Sequence, residues 1–405
     1  MFFEIAAFSL ASLALLPPSA SLTVTAQQPA SSIQITQGGT YSGHWTSNDP
    51  EVAAITIHTD QAVVIRDSTV TGRGNLIYID GDKTGAHVTI ENVTGTALDP
   101  RVNGASRGAF VLATGVTALI VQHCSIAGAT FGVKVVASTP STLRILNNLA
   151  TNLEDRASDG HGGLLPLRPR LGHFVILDHV VAQSGAEIAW NQVVQTIGQT
   201  STEDMINIYE SAGSKASPID VHDNFLEGAS SAVPGKSYTG TALIADGGDG
   251  PNSAPTAFVL FENNQIVATA GSAIGIAYGH DIAARDNRVV SCGEDASGHL
   301  YAWGANAVVI WNYYKSPQFF NNTITSTTGG MIGPAPNHQF KAQDSWFNPA
   351  GNTDPSNAIR DNKFTDPCLV NGALNLHAED AERANWAAKL AAAHQSVGAP
   401  QSSTH

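Results

Sequence analysis

Ten times along the chain one six-residue phrase returns: an apolar residue, two mostly polar ones, usually Asn, any residue, then an apolar one. The copies are VIRDSTV from Val64 (with one extra residue at its start), TIENVT from Thr89, VQHCSI from Val121, ILNNLA from Ile145, IAWNQV from Ile188, VHDNFL from Val221, FENNQI from Phe261, ARDNRV from Ala284, FFNNTI from Phe319 and IRDNKF from Ile359. Aligned, they put Ser68, Asn92, Cys124, Asn148, Asn191, Asn224, Asn264, Asn287, Asn322 and Asn362 in one column, at intervals from 23 residues (Asn264 to Asn287) to 43 (Asn148 to Asn191). Such a period predicts stacked supersecondary units, none able to bury its apolar face until a neighbour covers it. Asn suits an inward bend between two strands of each unit, because it tolerates tight backbone geometry and its amide can bond the Asn above and below. A ladder of stacked Asn side chains is expected, with the longer intervals carrying loops on which function can be built.

A second strand is expected after each bend, with inward apolar pairs Ile77 and Ile79, Phe110 and Leu112, Val133 and Val135, Leu165 and Leu167, Ile206 and Ile208, Ala242 and Ile244, Ile274 and Ile276, and Val308 and Ile310. Side chains alternate across a strand, so the residues between and after these pairs point outward. Neighbouring coils are about 4.8 Å apart, which predicts Glu210 beside Asp246, with Tyr209, Tyr278 and Trp311 close by and Asn207 and Asn312 on the same face.

The repeat resembles the right-handed parallel β-helix superfamily that includes pectate lyases, polygalacturonases, alginate epimerases and phage tailspikes, over roughly residues 55 to 364. The resemblance implies an all-β, single-stranded solenoid. It is weak for reaction, since that superfamily hosts lyases, hydrolases, isomerases and non-enzymatic adhesins. Residues 55–370 are assigned to the solenoid and 27–54 to an N-terminal cap. Residues 1–26 read as a signal peptide with an apolar run from Ile5 to Leu16, although Glu4 stands where a basic residue belongs. That run is too short for a membrane span and Pro17–Pro18 breaks it. Residues 371–405 are assigned to a helix from His377, rich in helix formers, that covers the open end of the stack, and a disordered tail.

Composition narrows the partners. Twenty Lys and Arg against thirty-four Asp and Glu give a net charge of −14, which argues against nucleic acid, since phosphate neutralisation needs clustered cations. It also weakens a polyanionic substrate unless calcium bridges the carboxylates, a cofactor for which Asp204 and Asp249 are candidate ligands. No nucleotide fingerprint and no Cys/His metal pattern occurs. Among three cysteines, Cys124 falls in the Asn column as a buried small residue. Cys292 and Cys368 sit at similar places two coils apart, about 9 to 10 Å, beyond disulfide reach.

Paired carboxylates among aromatics suggest glycoside hydrolysis of a polysaccharide or oligosaccharide by a secreted or periplasmic protein. Glu210 and Asp246 are the candidate acid and nucleophile, His280 in YGHDI a proton shuttle, and Tyr209, Tyr278 and Trp311 the sugar-binding surface. The alternatives are a uronate lyase or epimerase centred on Arg168, Lys215 and His280, with Arg neutralising the carboxylate and Lys or His removing the C5 proton, and a non-catalytic glycan-binding surface protein. In RASDGHGG, Asp159 and His161 are lid candidates; the string resembles the Gly-His-Gly of polygalacturonases, whose paired Asp and Arg-x-Lys motifs are absent.

Overall fold

The computed structural model describes residues 23–25, 31–81, 85–169, 171–231, 239–248, 250, 253–295, 297–298, 300–301, 306–334, 340–342, 344–347 and 354–400. The proposed signal segment before residue 23, Asp249 and Arg170 lie outside them. Each coil contributes one strand to an eleven-stranded sheet and, in most coils, two to a larger sheet that continues through the Asn bend. Strand pairing within these two sheets is parallel from one coil to the next. In the eleven-stranded sheet the order runs Ile33–Ile35, Ile55–Ile57, Ile77–Asp80, Val111–Thr114, Phe131–Val136, His173–Asp178, Asp204–Tyr209, Thr241–Asp246, Ile274–Ile276, Val308–Ile310 and Ser345–Phe347.

At every bend the residue before the column adopts a left-handed backbone. Asp67, Asn92, His123, Asn147, Trp190, Asp223, Asn263, Asp286, Ser326 and Asp361 have φ between 47 and 58°. Asn and Asp tolerate this region best among non-glycine residues, which explains their density in the phrase. The following side chain points inward. Asn148 Nδ2 donates to Asn191 Oδ1 at 2.9 Å, Asn191 to Asn224 and Asn224 to Asn264 at 2.9 Å, and Asn264 to Asn287 at 3.1 Å. Each acceptor oxygen also takes the backbone N–H of the preceding ladder residue. Asn264→Ala would leave the buried backbone N–H of Asn224 without its acceptor and take one of three acceptors from its Nδ2, so a loss of about 1 to 3 kcal/mol is expected in urea unfolding.

Two column assignments need correction. Val93, wholly buried, pairs with Ser68 and fills the column, while Asn92 takes the left-handed position and bonds Asp67. Strand Thr323–Thr325 pairs with Ala283–Arg285, which puts Thr327 opposite Asn287. Asn322 instead opens that strand and accepts from Ile282 N–H. In both copies Asn serves the left-handed bend or a neighbouring corner equally well, so composition cannot tell the two positions apart.

The cysteine expectation is overturned: Cys292 and Cys368 form a disulfide with Cα atoms 5.2 Å apart. The chain leaves the stack after Phe364 and doubles back through the antiparallel pair Leu369–Val370 and Ala373–Leu374, so the coil spacing assumed for Cys368 does not apply. Cys124 is wholly buried, and desolvation pushes its thiol up to about 12.

The helix His377–Ala392 lies along a flank of the stack rather than over its end. Trp386 stacks on Phe225 and Trp190, and its Nε1 donates to Gln192 Oε1 at 2.9 Å. Arg288 grips Glu382, Arg383 grips Glu227 and Lys389 reaches Asp223. The chain then runs on to Asn147, where Gly398 N–H donates to its carbonyl. Aromatic side chains and carboxylates presented by successive coils give the helix a long docking track, whereas the coil end offers one layer. At the first turn of the helix, burial pushes Glu379 up to about 7, although Tyr301 O–H and Cys292 N–H both donate to it. The folded state therefore holds a proton that the unfolded chain releases above about 4.5. This group's contribution to stability falls as pH rises from about 4.5 towards 7. In denaturant melts across that window the slope should flatten in Glu379→Gln, with Arg383 and Glu227 unchanged beside it.

Candidate active site

The outer face of the eleven-stranded sheet carries the densest chemistry, and its register differs from expectation in three coils. Val111 and Ala113, not Phe110 and Leu112, pair with Ile77 and Ile79. Leu243 and Ala245, not Ala242 and Ile244, pair with Ile206 and Ile208. Leu165 and Leu167 belong to strand Leu164–Pro169, which pairs antiparallel with Arg156–Ser158 in a separate hairpin. The sheet strand of that coil is His173–Asp178, from the apolar run HFVILD, which competed with LLPLRPR for the same place. Leu and Val point inward or outward equally well on propensity alone, and only the pairing settles a one-residue choice.

In the observed register Asp178, Tyr209 and Asp246 stand side by side at the ends of three neighbouring strands. Glu210 follows Tyr209 at the corner with φ 44°, its N–H donating to the Asp246 carbonyl. The carboxylate is only 6% exposed. Its Oε2 accepts from Ala254 N–H at 3.1 Å and lies 3.0 Å from His179 Nε2. The other ring nitrogen of His179 lies 2.7 Å from Asp178 Oδ1, so the imidazole bridges two carboxylates. Its side chain, 52% exposed, opens this edge to solvent. Lys134 Nζ approaches Asp178 at 3.4 Å.

Asp246 is half-buried and accepts from Tyr314 O–H at 3.0 Å. Burial raises its carboxyl pKa against the opposing pull of Gly247 N–H, Tyr314 and Asn207, and Glu210 adds to the rise. Tyr209, pushed up to about 12 by burial and by Glu210, leans on His179. Tyr278 packs edge-on to Tyr314, and its hydroxyl reaches the Ser253 carbonyl. Tyr314, Tyr313 and Trp311 continue the aromatic run in edge-to-face steps. The loop after Asp246 needs its glycines here: a Cβ on Gly247 would enter the Tyr278 ring, and one on Gly248 would press Glu210 Oε1.

Of the sequence candidates, Glu210, Asp246, Asn207, Tyr209 and Tyr278 are brought together, with Trp311 at the far end of the aromatic run. Asn207 is 3% exposed and its Nδ2 donates to Asp204 Oδ2, which places it beneath the pocket. Asn312 closes a local loop, bonding Ser316 through both side-chain atoms. His280 lies around the corner on the larger sheet, stacked on Phe320 and bonded to Asp281. Lys215 lines a neighbouring groove of about 320 Å³ with Phe258, Asp281 and Asn321. Arg168 sits on the hairpin, its side chain outside the described residues. Asp159 Oδ1 caps its own turn, accepting from His161 and Gly163 N–H. Sequence reasoning missed Lys134, Asp178 and His179; the Asp-His pair directly after HFVIL was the available signal. Behind the pocket, donor atoms of His173, Glu203 and Asp204 come within 4.8 Å of one another.

No family model matches the chain and no curated protein is similar to it in sequence. Among solved structures, the crystal structure of the Dettilon tailspike protein (gp208) is similar at 12% identity with a TM-score of 0.43, over 87% of this chain. The chain spans 63% of the tailspike's length. What decides the architecture is the unbroken parallel register from coil to coil around one internal Asn ladder. The chain is a parallel β-helix. Within this β-helix the pocket occupies the corner where three successive strands leave the narrower sheet. Among the described residues, no helix is long and apolar enough to cross a membrane.

Proposed function

We propose that the β-helix is a carbohydrate-active protein of an extracytoplasmic compartment that cleaves a glycan by glycoside hydrolysis at Glu210 and Asp246. One observation carries the reading: the two carboxylates sit at adjoining strand ends inside a ring of tyrosines and feel each other's charge. Burial raises the proton affinity of Asp246, which suits a general acid donating to the leaving oxygen. Glu210, oriented by Ala254 N–H and by His179, suits attack on the anomeric carbon, or removal of a proton from a water that attacks that carbon. Asp178 orients His179 in turn. The faces of Tyr209 and of the Trp311–Tyr313 pair suit the apolar sides of sugar rings.

The Cys292–Cys368 bridge supports an oxidising compartment, and the net charge of −14 disfavours nucleic acid. Elimination from a uronate is supported less, because Lys215 and His280 lie around the corner from the carboxylates, with His280 committed to Asp281 and Phe320. A panel of neutral and acidic polysaccharides tests the reading. New reducing ends without the ultraviolet absorbance of an unsaturated uronate are expected. Absorbance would install the lyase in its place, and binding with neither signal would make this a glycan-binding protein.

A further inference from the structure

Beneath the pocket, at the opposite end of the same strands, the β-helix buries more negative charge than its own cations neutralise. Asp204 begins strand Asp204–Tyr209 with Glu203 just before it, and His173 begins the preceding strand of the sheet. His173 is 2% exposed; its Nδ1 lies 3.1 Å from the Asp204 carbonyl, which fixes the proton there and turns the Nε2 lone pair towards Glu203 Oε2 at 3.4 Å. Two acceptors thus face each other across a gap too short for water and in need of a proton or a cation. Asp204 Oδ2 lies 3.9 Å from Nδ1 of the same imidazole, and one donor atom from each of the three residues falls within 4.8 Å of the others.

Two further groups are orphaned. Asp155 is wholly buried and neither of its carboxylate oxygens has a hydrogen bond of normal geometry, although Ser201 and the Gly172 N–H lie beside it. It is near enough to Glu203 for each to feel the other's charge. Asn207, 97% buried by the same measure that leaves it 3% exposed, donates its Nδ2 to Asp204 while its Oδ1 has no partner. The nearby cations are engaged elsewhere: Lys134 with Asp178, and Arg156 with Glu154. Asp155 and Asp204 are buried and the Glu203 side chain is only 14% exposed, and three carboxylates in such a place are costly without a counter-ion.

We propose that His173, Glu203 and Asp204 form a binding site for a divalent first-row transition metal, completed by the Asn207 or Asp155 oxygens. A neutral imidazole nitrogen with two carboxylates is the donor set of Zn²⁺ or Mn²⁺, whereas calcium takes oxygen ligands alone. The ion would satisfy the facing acceptors, and through Asn207, which touches both Asp204 and Asp246, it would stiffen the floor of the pocket. The His173 Nδ1 contact to the Asp204 carbonyl is the orienting second bond that metal-bound histidines generally make.

The test is independent of any glycan activity. Purified full-length protein is stripped with EDTA and titrated with Zn²⁺, Mn²⁺ and Ca²⁺, read by thermal melting and by calorimetry. One equivalent of Zn²⁺ or Mn²⁺ per chain is expected, with the melting temperature falling on chelation and returning with either ion. Co²⁺ should give visible d–d bands that Glu203→Gln abolishes, and that substitution should weaken Zn²⁺ binding roughly 100-fold or more while leaving the β-sheet circular dichroism intact. His173→Gln serves as the second ligand variant should one of the two fail to fold. Melting indifferent to EDTA and to both transition metals would overturn the site, as would rescue by Ca²⁺ alone or Co²⁺ bands that persist in both variants.

Discussion

Glu210→Gln and Asp246→Asn are each expected to lower glycan turnover about 10³-fold while leaving glycan affinity nearly unchanged. Each amide keeps the shape of the carboxylate but can neither attack nor move a proton. At Asp246 it also preserves an acceptor for Tyr314 O–H, 3.0 Å away, so the pocket should not collapse. Trp311→Ala should act in the opposite sense, raising KM with little change in kcat, because a stacking surface serves the ground and transition states alike. His179→Ala should sit between these, at about a tenfold loss in kcat, since it removes the group that orients Glu210 rather than a reacting one. Lys215→Ala and His280→Ala, around the corner, should keep wild-type turnover. The measurement is steady-state release of reducing ends from the best substrate of the polysaccharide panel. Full turnover in both amide variants, with loss in Lys215→Ala or His280→Ala, would move the chemistry to elimination.

Opening the Cys292–Cys368 bridge is expected to cost about 4 kcal/mol of stability, since it closes a loop of 76 residues and its loss returns that loop's freedom to the unfolded chain. The bridge fastens the coil of strand Arg288–Ser291 to the chain that turns back into the helix, where Glu379 accepts from Cys292 N–H at 2.7 Å. Reduction, or Cys292→Ser with Cys368→Ser, should therefore shift the urea midpoint downward and expose amides of the helix His377–Ala392 first in hydrogen exchange. Amides between Asn148 and Asn287, held by the ladder, should stay protected longest. Thiol labelling of the unfolded, unreduced protein should find Cys124 alone. Three labelled thiols with an unchanged midpoint would show that the bridge does not form.

The stacked coils, the inward Asn ladder and the presence of a C-terminal helix were determined by local pattern. Period and residue type suffice for these, because a left-handed bend selects Asn or Asp and a buried amide needs a like neighbour one coil away. Glu210 and Asp246 were also placed on neighbouring coils by spacing alone. What tertiary structure decided were matters of one residue or of chain reversal. At Leu243 and Ala245, apolar residues on both sides of the strand make two registers equally apolar, and only pairing with Ile206 and Ile208 selects one, bringing Asp246 beside Tyr209. The hairpin Arg156–Pro169 left the stack because Arg156–Ser158 offered it an antiparallel partner, and His173–Asp178 took the sheet position, carrying Asp178 and His179 into the pocket. Cys368 met Cys292, and the helix found a flank instead of the end, because the chain reversed after Phe364. Periodicity describes each coil relative to the next, and it is silent on where a loop returns or which of two apolar faces the neighbour will cover.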